Sequence, residues 1–251
     1  MILVTGGTGL VGSHLLWHLL QKEQTVRAVC REGSSTEQVR EVFTFYDDAF
    51  AENDAGALFS RIEWFPADML DLWSMNEAME GVEKVYHCAA NVSFDPSVIL
   101  GPGNWHRGSA AFFTRIQKGM RYYTEGMTGF VDVRDVCRCM IALMESDISG
   151  DRFIINSENL YYRDLFNMIA DALGRPRPDK HASARLTEAG WRLAWLLGKI
   201  TFSKPLLTRD TARSGRRISR FSNRKIRETL GIEFIPISDT ISWTASFLPC
   251  R

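Results

Sequence analysis

ILVTGGTGLVGSHLLWHLL, residues 2–20, decides the fold. Ile2, Leu3 and Val4 form a short apolar run without polar interruption, residues 5–12 read TGGTGLVG, and Ser13 opens a stretch with Leu15, Leu16, Leu19 and Leu20 at helical spacing. The pattern predicts a buried strand, a glycine turn and a helix. Glycine suits such a turn because it adopts positive φ and because a diphosphate comes close to the backbone only where no Cβ intervenes. The first amides of the helix then point at the phosphates, and the positive end of the helix dipole adds to the attraction.

Gly6, Gly9 and Gly12 form GxxGxxG, one residue longer between the first two glycines than the common dinucleotide fingerprint GxGxxG, and Gly7 adds a fourth glycine to the same turn. Gly7 and Gly12 also have the GxxxxG spacing of a P-loop, but Ser13 stands where that motif needs lysine. The alternative of an ordinary glycine turn is weakened by the strand before it and the helix after it. The cofactor-binding set expected at the turn is Gly6, Thr8, Gly9, Leu10, Val11 and Gly12.

TGGTGLVGSHLLWHLL resembles the opening of the extended short-chain dehydrogenase/reductase family, the nicotinamide-dependent epimerases, dehydratases and reductases, and VRAVCRE downstream is most similar to its dihydroflavonol-reductase-like branch. The resemblance implies an α/β fold, a Rossmann-type doubly wound parallel sheet with a smaller carboxyl-terminal substrate-binding part. It implies hydride transfer between a nicotinamide and a secondary alcohol or ketone of a small organic or sugar-nucleotide substrate.

Composition fits a globular enzyme. The 251 residues are 45% hydrophobic and 24% charged, enough for a sizeable core in one or two domains. Thirty basic and thirty acidic residues cancel, so no global charge argues for nucleic acid or a membrane surface. The five cysteines (Cys30, Cys88, Cys137, Cys139, Cys250) show neither a disulfide nor a zinc-finger rhythm, which suits a reducing cytoplasm. Cys137 and Cys139, two apart on an expected helix, do not face each other. A strand beginning at the first residues is expected to leave no room for a signal peptide.

Residues 25–30 (TVRAVC) read as a second strand whose end lies where the adenosine ribose of a dinucleotide would sit. There an acidic residue accepts from the 2′-hydroxyl of NAD, whereas an arginine accommodates the 2′-phosphate of NADP. Arg31 and Glu32 stand side by side; by resemblance Arg31 is the NADP-binding arginine, and a guanidinium suits a phosphate dianion. NADP is the expected cofactor, with NAD the alternative. Residues 33–60 are polar with helical patches. Residues 62–66 form a third strand running into Asp68 and Met69, which by resemblance meet the adenine. A helix N-cap reading fits Asp71 better than Asp68. Residues 74–80 read as a helix and residues 82–90 (VEKVYHCAA) as a fourth strand, whose Ala89 and Ala90 match the family's close approach to the cofactor.

The pattern breaks at Asn91. Residues 96–105 resemble the family segment that closes its sixth strand, whereas the family has two further helices and a strand before it, carrying a catalytic serine and a Tyr-x-x-x-Lys pair. That chemistry needs a tyrosine to move the hydroxyl proton and a lysine one turn on to lower its pKa. Four residues after each tyrosine the chain has Phe50 (from Tyr46), Ala90 (Tyr86), Gly126 (Tyr122), Met127 (Tyr123), Leu165 (Tyr161) and Phe166 (Tyr162), never a lysine. No catalytic residue is therefore assigned. A parallel crossover needs at least about 10–12 residues, and residues 91–96 do not supply one. If two βαβ units are absent, roughly 60 or more residues are missing from an ordinary member, through either a disordered or unrecorded segment or a true internal deletion. The chain is expected to be broken near Asp95 to Ser97, with a Cα separation well above roughly 3.8 Å. If it is intact, Val98 to Leu100 are expected to fall outside the sheet. The expected division is a dinucleotide-binding half over residues 1–96 and the rest of the sheet with the substrate-binding part over residues 97–251.

Beyond the junction, residues 110–119 read as a helix, and residues 129–138 as a strand-to-helix step with Asp135 as cap of a helix running to Met144. Residues 152–156 (RFIIN) read as a strand, and residues 160–173 as an amphipathic helix stopped at Gly174 and Pro176. The Trp and Leu stripe at 186–200 is too short to span a membrane and reads as core or as the face of a homodimer. The arginines of residues 209–227 read as a solvated helix face with one or two reaching an anionic substrate; no nucleic-acid signature accompanies them. His14 and His18 have the spacing of a zinc pair but lack the glutamate of HExxH, so no metal site is assigned. Residues 221–231 resemble the family's closing segment, and the carboxyl end is expected to be complete.

Overall fold

The computed structural model describes residues 1–50, 54–89, 97–183 and 215–249. β1 (Ile2–Thr5) is buried throughout and leads through the glycine turn into α1 (Leu10–Gln21), which starts three residues earlier than the leucine spacing suggests. β2 (Val26–Cys30), α2 (Glu37–Phe50), α3 (Ala55–Ser60), β3 (Glu63–Pro66), α4 (Leu72–Ala78) and β4 (Lys84–His87) follow. The four strands form a wholly parallel sheet in the order β3-β2-β1-β4, with Leu3 level with Arg27 on one side and Val85 on the other. This is the Rossmann-type α/β architecture.

Alternation along the strands divides the core. Ile2, Val4, Val26, Ala28 and Tyr86 pack on one face with Leu15, Leu16, Leu19 and Leu20 of α1 and Val39, Val42 and Phe43 of α2. Leu3 and Val29 point to the other face, where among the described residues Ala67, Ala78 and a few half-buried neighbours such as Met75 cover them. Among the described residues that second layer is thin beside β4: Val85 is 36% exposed, although strands of a parallel sheet are ordinarily covered on both faces.

β5 (Ser97–Leu100) does not extend this sheet. It pairs in parallel with β7 (Met127–Asp132), whose other edge takes β8 (Glu158–Tyr161) antiparallel, giving a separate sheet in the order β5-β7-β8. Between these strands come α5 (Ala111–Gln117), the two-residue β6 (Tyr122–Tyr123) and α6 (Val133–Glu145), and after them α7 (Tyr162–Ala172) and β9 (Lys180–His181), which pairs with β6. Two further helices, α8 (Arg224–Leu230) and α9 (Ile237–Ser246), complete the described residues. Phe113, Ile116, Phe130, Leu165, Ile169, Ile237 and Ile241 fill this half's core. The residues around the expected break, 90–96, lie outside the described residues, as does the apolar stripe at 186–200.

Two local expectations are corrected. Residues 152–156 form no strand: β7 already has β5 on one edge, and its other edge is first met by Ser157, whose N–H donates to the Phe130 carbonyl at 2.8 Å. Asp132, not Asp135, caps α6. Its carboxylate accepts from Arg134 N at 2.7 Å and from the Arg134 guanidinium at 2.9 and 2.6 Å. Asp135 sits inside the first turn, fully buried, and accepts from Ile235 N at 2.7 Å and from Arg138. Asp71 caps α4, accepting from Trp73 N and Ser74 N at 3.3 and 3.2 Å. α7 ends as the sequence predicts, with Gly174 at φ 60°.

The two halves meet along an aromatic seam. Trp17 of α1 stacks on Tyr46 of α2 with centroids 4.0 Å apart, Trp243 of α9 lies 5.9 Å from Tyr46, and Phe45 touches Phe247 at 5.0 Å. The guanidinium of Arg134 lies 3.8 Å over Trp243. α1 and α6 pack side by side, with Cys137 buried against the Val11 carbonyl.

Candidate dinucleotide site

The glycine turn lies at the carboxyl ends of β1 and β4. Gly6 takes φ 68°, a conformation that costs other residues dearly, and a Cβ on it would lie 2.7 Å from the backbone N of Ala89. A Cβ on Gly12 would lie 2.2 Å from the Gly6 carbonyl oxygen, so the turn closes on the first turn of α1 with no space for a side chain. Gly9 N donates to that same carbonyl at 2.9 Å. Gly9 is the N-cap of α1 and carries no side chain to cap it, so the helix presents its first amides, at Leu10, Val11 and Gly12, without side-chain partners. A twelve-residue helix with an uncapped, glycine-lined start is the arrangement that holds a phosphate group. Gly9 is exposed, while Gly6, Thr8, Leu10 and Val11 are half-buried.

The other candidates are distributed around this turn. Arg31 follows the last residue of β2, exposed, in a tight turn in which Ser34 N donates to its carbonyl at 2.9 Å and Gly33 takes φ 74°. Its guanidinium makes no hydrogen bond or ion pair among the described residues. Asp68 follows β3 and spends one carboxylate oxygen on Leu70 N at 3.0 Å. Met69 is 44% exposed beside it. Ala89 touches Gly6 through its backbone, and Ala90 lies outside the described residues.

Three features of this region were not anticipated from the sequence. Thr5 Oγ1 and His87 Nδ1 share a hydrogen bond of 2.8 Å across the ends of β1 and β4. The loop at Gly101-Pro102-Gly103, which follows β5, lies against α1: a Cβ on Gly103 would come 2.9 Å from Leu10 Cδ1. His14, expected as an ordinary helix residue, is fully buried, with Nδ1 2.6 Å from the Tyr46 hydroxyl and Nε2 2.9 Å from the Pro102 carbonyl. Since a carbonyl only accepts, Nε2 carries the proton and Nδ1 accepts from Tyr46. Burial lowers the His14 pKa to about 4 despite the raising effect of the Pro102 hydrogen bond, and burial with the nearby Arg134 and Arg138 lowers His18 to about 4. The pairing of GPG with the glycine turn was present in the sequence as two glycine-rich segments, but nothing in their spacing brings them together.

A shallow cleft in the second half is lined by Tyr123, Glu125, Tyr161, Arg163, Asp164 and Ile218. Tyr161 is level with Met127, at the start of β7, whereas Gly101 follows its other end, about 17 Å away along the strand. The cleft is therefore not continuous with the glycine turn. Of the arginine run, Arg224 pairs with Glu228 at 2.7 Å, Lys225 pairs with Asp151, and Arg216, Arg217, Arg220 and Arg227 are exposed. The part of the run before residue 215 lies outside the described residues. No helix among the described residues is long and apolar enough to cross a membrane.

Comparison with known proteins bears on the fold and the family. The chain is 34% identical over 94 residues to a dihydroflavonol 4-reductase of Hordeum vulgare, covering 38% of this chain and 24% of that protein. It is 34% identical over 90 residues to tetraketide alpha-pyrone reductase 2 of Arabidopsis thaliana, covering 36% and 25%. The match thus spans about a quarter of the length of these curated relatives. Among solved structures, a UDP-glucose 4-epimerase of Thermus thermophilus in complex with NAD aligns with a TM-score of 0.67 and 14% identity over 98% of both chains. Vestitone reductase from alfalfa aligns at 0.60 and 13% identity over 98% of this chain and 97% of that one. The description of the NAD dependent epimerase/dehydratase family matches residues 2–128. With β1, the glycine turn and α1 inside that match, and just over half of its 251 residues covered, the chain belongs to the NAD dependent epimerase/dehydratase family.

Proposed function

We propose that the protein binds a nicotinamide dinucleotide at the glycine turn and belongs to an NAD(P)-dependent oxidoreductase or epimerase acting on a secondary alcohol or ketone of a small organic or sugar-nucleotide substrate. The observation that carries this reading is the closed turn itself: Gly12 leaves no room for a Cβ against the Gly6 carbonyl, and α1 starts uncapped. A diphosphate lies against the amides of Leu10, Val11 and Gly12, with Gly6, Thr8 and Gly9 forming the rim. Arg31, exposed and unpaired among the described residues at the end of β2, reads the ribose 2′ position and favours NADP over NAD. Asp68 and Met69 border the adenine, and Ala89, at the end of β4, lets the backbone pass close to the cofactor, the role the resemblance also gives Ala90. The nicotinamide supplies hydride transfer when bound; the chain's part is to hold and orient it. Residues 1–96 act as the dinucleotide-binding half and residues 97–251 as the substrate side.

A second reading has its own support. None of the six tyrosines has a lysine four residues on, so the chain carries no family-type acid/base pair. A non-catalytic NAD(P)-binding protein, a redox sensor or scaffold, fits that sequence. Calorimetric titration with NADP and NAD tests the shared part of both readings, and absence of binding by either defeats both. Sequencing the source gene across the codons for Phe94 to Ile99 then separates them. Intervening coding sequence with Tyr-x-x-x-Lys supports the enzyme, and its absence leaves the binder.

A further inference from the structure

The side chain that joins the two halves next to the glycine turn is His14. It sits in the second turn of α1, fully buried, with both ring nitrogens engaged by different elements: Tyr46 of α2 gives its hydroxyl proton to Nδ1, and Nε2–H reaches the Pro102 carbonyl. Pro102 stands between two glycines packed closely against other elements. A Cβ on Gly101 would lie 2.5 Å from Val133 Cγ1 at the start of α6, and one on Gly103 would lie 2.9 Å from Leu10 Cδ1 and 3.7 Å from the Gln38 amide nitrogen. The loop is thus keyed into a slot formed by α1, α2 and α6, and the Leu10 side chain that forms one wall belongs to the first turn of α1, whose amide is among those offered to a phosphate. A polar group in so dry a place is costly unless satisfied, so the Pro102 carbonyl, which only accepts, fixes the proton on Nε2, and the Tyr46 hydroxyl satisfies Nδ1.

We propose that His14 is a positioning residue: by donating to the Pro102 carbonyl it seats the Gly101-Pro102-Gly103 loop against Leu10, coupling the substrate-side half to dinucleotide binding at the glycine turn. The inference rests on the reading that a dinucleotide occupies that turn. Seating the loop holds the first turn of α1 in its binding geometry, and by linkage a bound dinucleotide holds the loop in place to the same degree. His18 does not share the task. It is four residues on, beside Tyr46 at 3.5 Å, and makes no bond to the loop among the described residues.

The test uses the full chain as wild type, His14→Gln, His14→Leu and Gly103→Val. Glutamine places an amide donor near the Nε2 position, leucine fills the space without donating, and valine sets a branched side chain against Leu10 and Gln38 at the loop's seat while leaving the His14 and Tyr46 pair untouched. Amide exchange at Gly103, Asn104 and Trp105 is measured with and without NADP, and the Kd for NADP is measured by calorimetry at pH 7.5. In wild type, NADP slows exchange at these amides. His14→Leu and Gly103→Val raise the Kd at least fivefold and exchange the loop amides at least tenfold faster in the free protein. His14→Gln stays within twofold of wild type in both. Folded His14→Leu or Gly103→Val protein binding NADP with the wild-type Kd overturns the proposal. So does a His14→Gln protein that behaves like His14→Leu, because then the imidazole acts by filling space. Should His14→Leu fail to fold, Gly103→Val and His14→Gln decide. Wild-type protein that binds no dinucleotide defeats the underlying reading instead, whereas wild-type binding with indifferent variants defeats only the coupling.

Discussion

Gly9 and Gly12 stand three apart in one turn, yet their substitution should fail for different reasons. A Cβ on Gly12 meets the Gly6 carbonyl oxygen at 2.2 Å and its carbon at 2.8 Å, both backbone atoms that cannot swing away, so Gly12→Ala must displace the turn itself. An overpacking cost of about 1–3 kcal/mol is expected, together with loss of dinucleotide binding. At Gly9 the nearest atom is 3.2 Å away and the residue is exposed, so Gly9→Val should melt close to wild type while its branched side chain occupies the space of the diphosphate. Thermal unfolding with parallel NADP titration checks the pair; a Gly12→Ala protein with normal melting and normal binding would show that the turn is looser than its geometry. Arg31 offers a second contrast. A charge-assisted hydrogen bond is worth about 1.5–3 kcal/mol, so Arg31→Ala should weaken NADP roughly ten- to hundredfold and NAD hardly at all. Equal loss for both cofactors would mean that this guanidinium does not read the 2′ position.

At the scale of elements, α6 depends on a cap the sequence did not single out. VDVRDV offers two aspartates, and the strand pairing chooses between them: β7 runs through Asp132, level with Leu100, so the helix begins one residue later and Asp132 faces its amides. Asp132 is fully buried and holds both the Arg134 backbone and its guanidinium, which stacks on Trp243. Removing the carboxylate loses a cap and strands a largely buried charge, so Asp132→Ala should cost on the order of 3 kcal/mol, read as a lowered urea midpoint with unchanged slope. Asp135→Asn, which keeps a polar group facing Ile235 N, should cost less; the reverse order would return the cap to Asp135. Local signals of this kind were legible where a single element decides them: the apolar run of β1, the glycine turn, the leucine stripe of α1, the stop of α7 at Gly174. They failed where partners decide. Residues 152–156 have a strand's composition, but both edges of β7 are taken by β5 and β8, and Ser97–Leu100 finds its place in a second sheet because β7 lies beside it. For the candidate site, the glycines and Arg31 could be read from spacing and chain position. The GPG loop against Leu10 could not, since 91 residues separate Gly12 from Gly103 and only the tertiary fold brings the segments together.

The seam between the halves makes the molecule as a whole sensitive to acid, and the sign follows from its two histidines. His14 and His18 both have folded pKa values lowered to about 4 from an ordinary 6.5, chiefly by burial, with Arg134, and for His18 also Arg138 and Lys22, repelling a further positive charge; Asp132 alone among the charged neighbours works against this. In the unfolded chain both imidazoles take up a proton near pH 6.5, whereas in the folded chain they resist until about pH 4. Their contribution is therefore constant above pH 6.5, and stability declines as the pH falls from 6.5 to about 4, where the loss levels off. Each shift corresponds to roughly 3 kcal/mol at most, a large share of the roughly 5–15 kcal/mol that a domain possesses. Asp135 opposes the trend weakly, since burial raises its pKa and protonation relieves that strain. Because Trp17, Tyr46 and Trp243 surround these rings, charging them should release the aromatic seam before either sheet melts, so tryptophan emission should shift ahead of far-ultraviolet circular dichroism as the pH drops below 6. Urea midpoints at pH 7.5, 6 and 5 should fall steadily for wild type, and much less for a His14→Gln, His18→Gln double variant, which lacks the two buried imidazoles. A double variant that loses stability as steeply as wild type would place the acid sensitivity outside the seam, among the carboxylates of the surface.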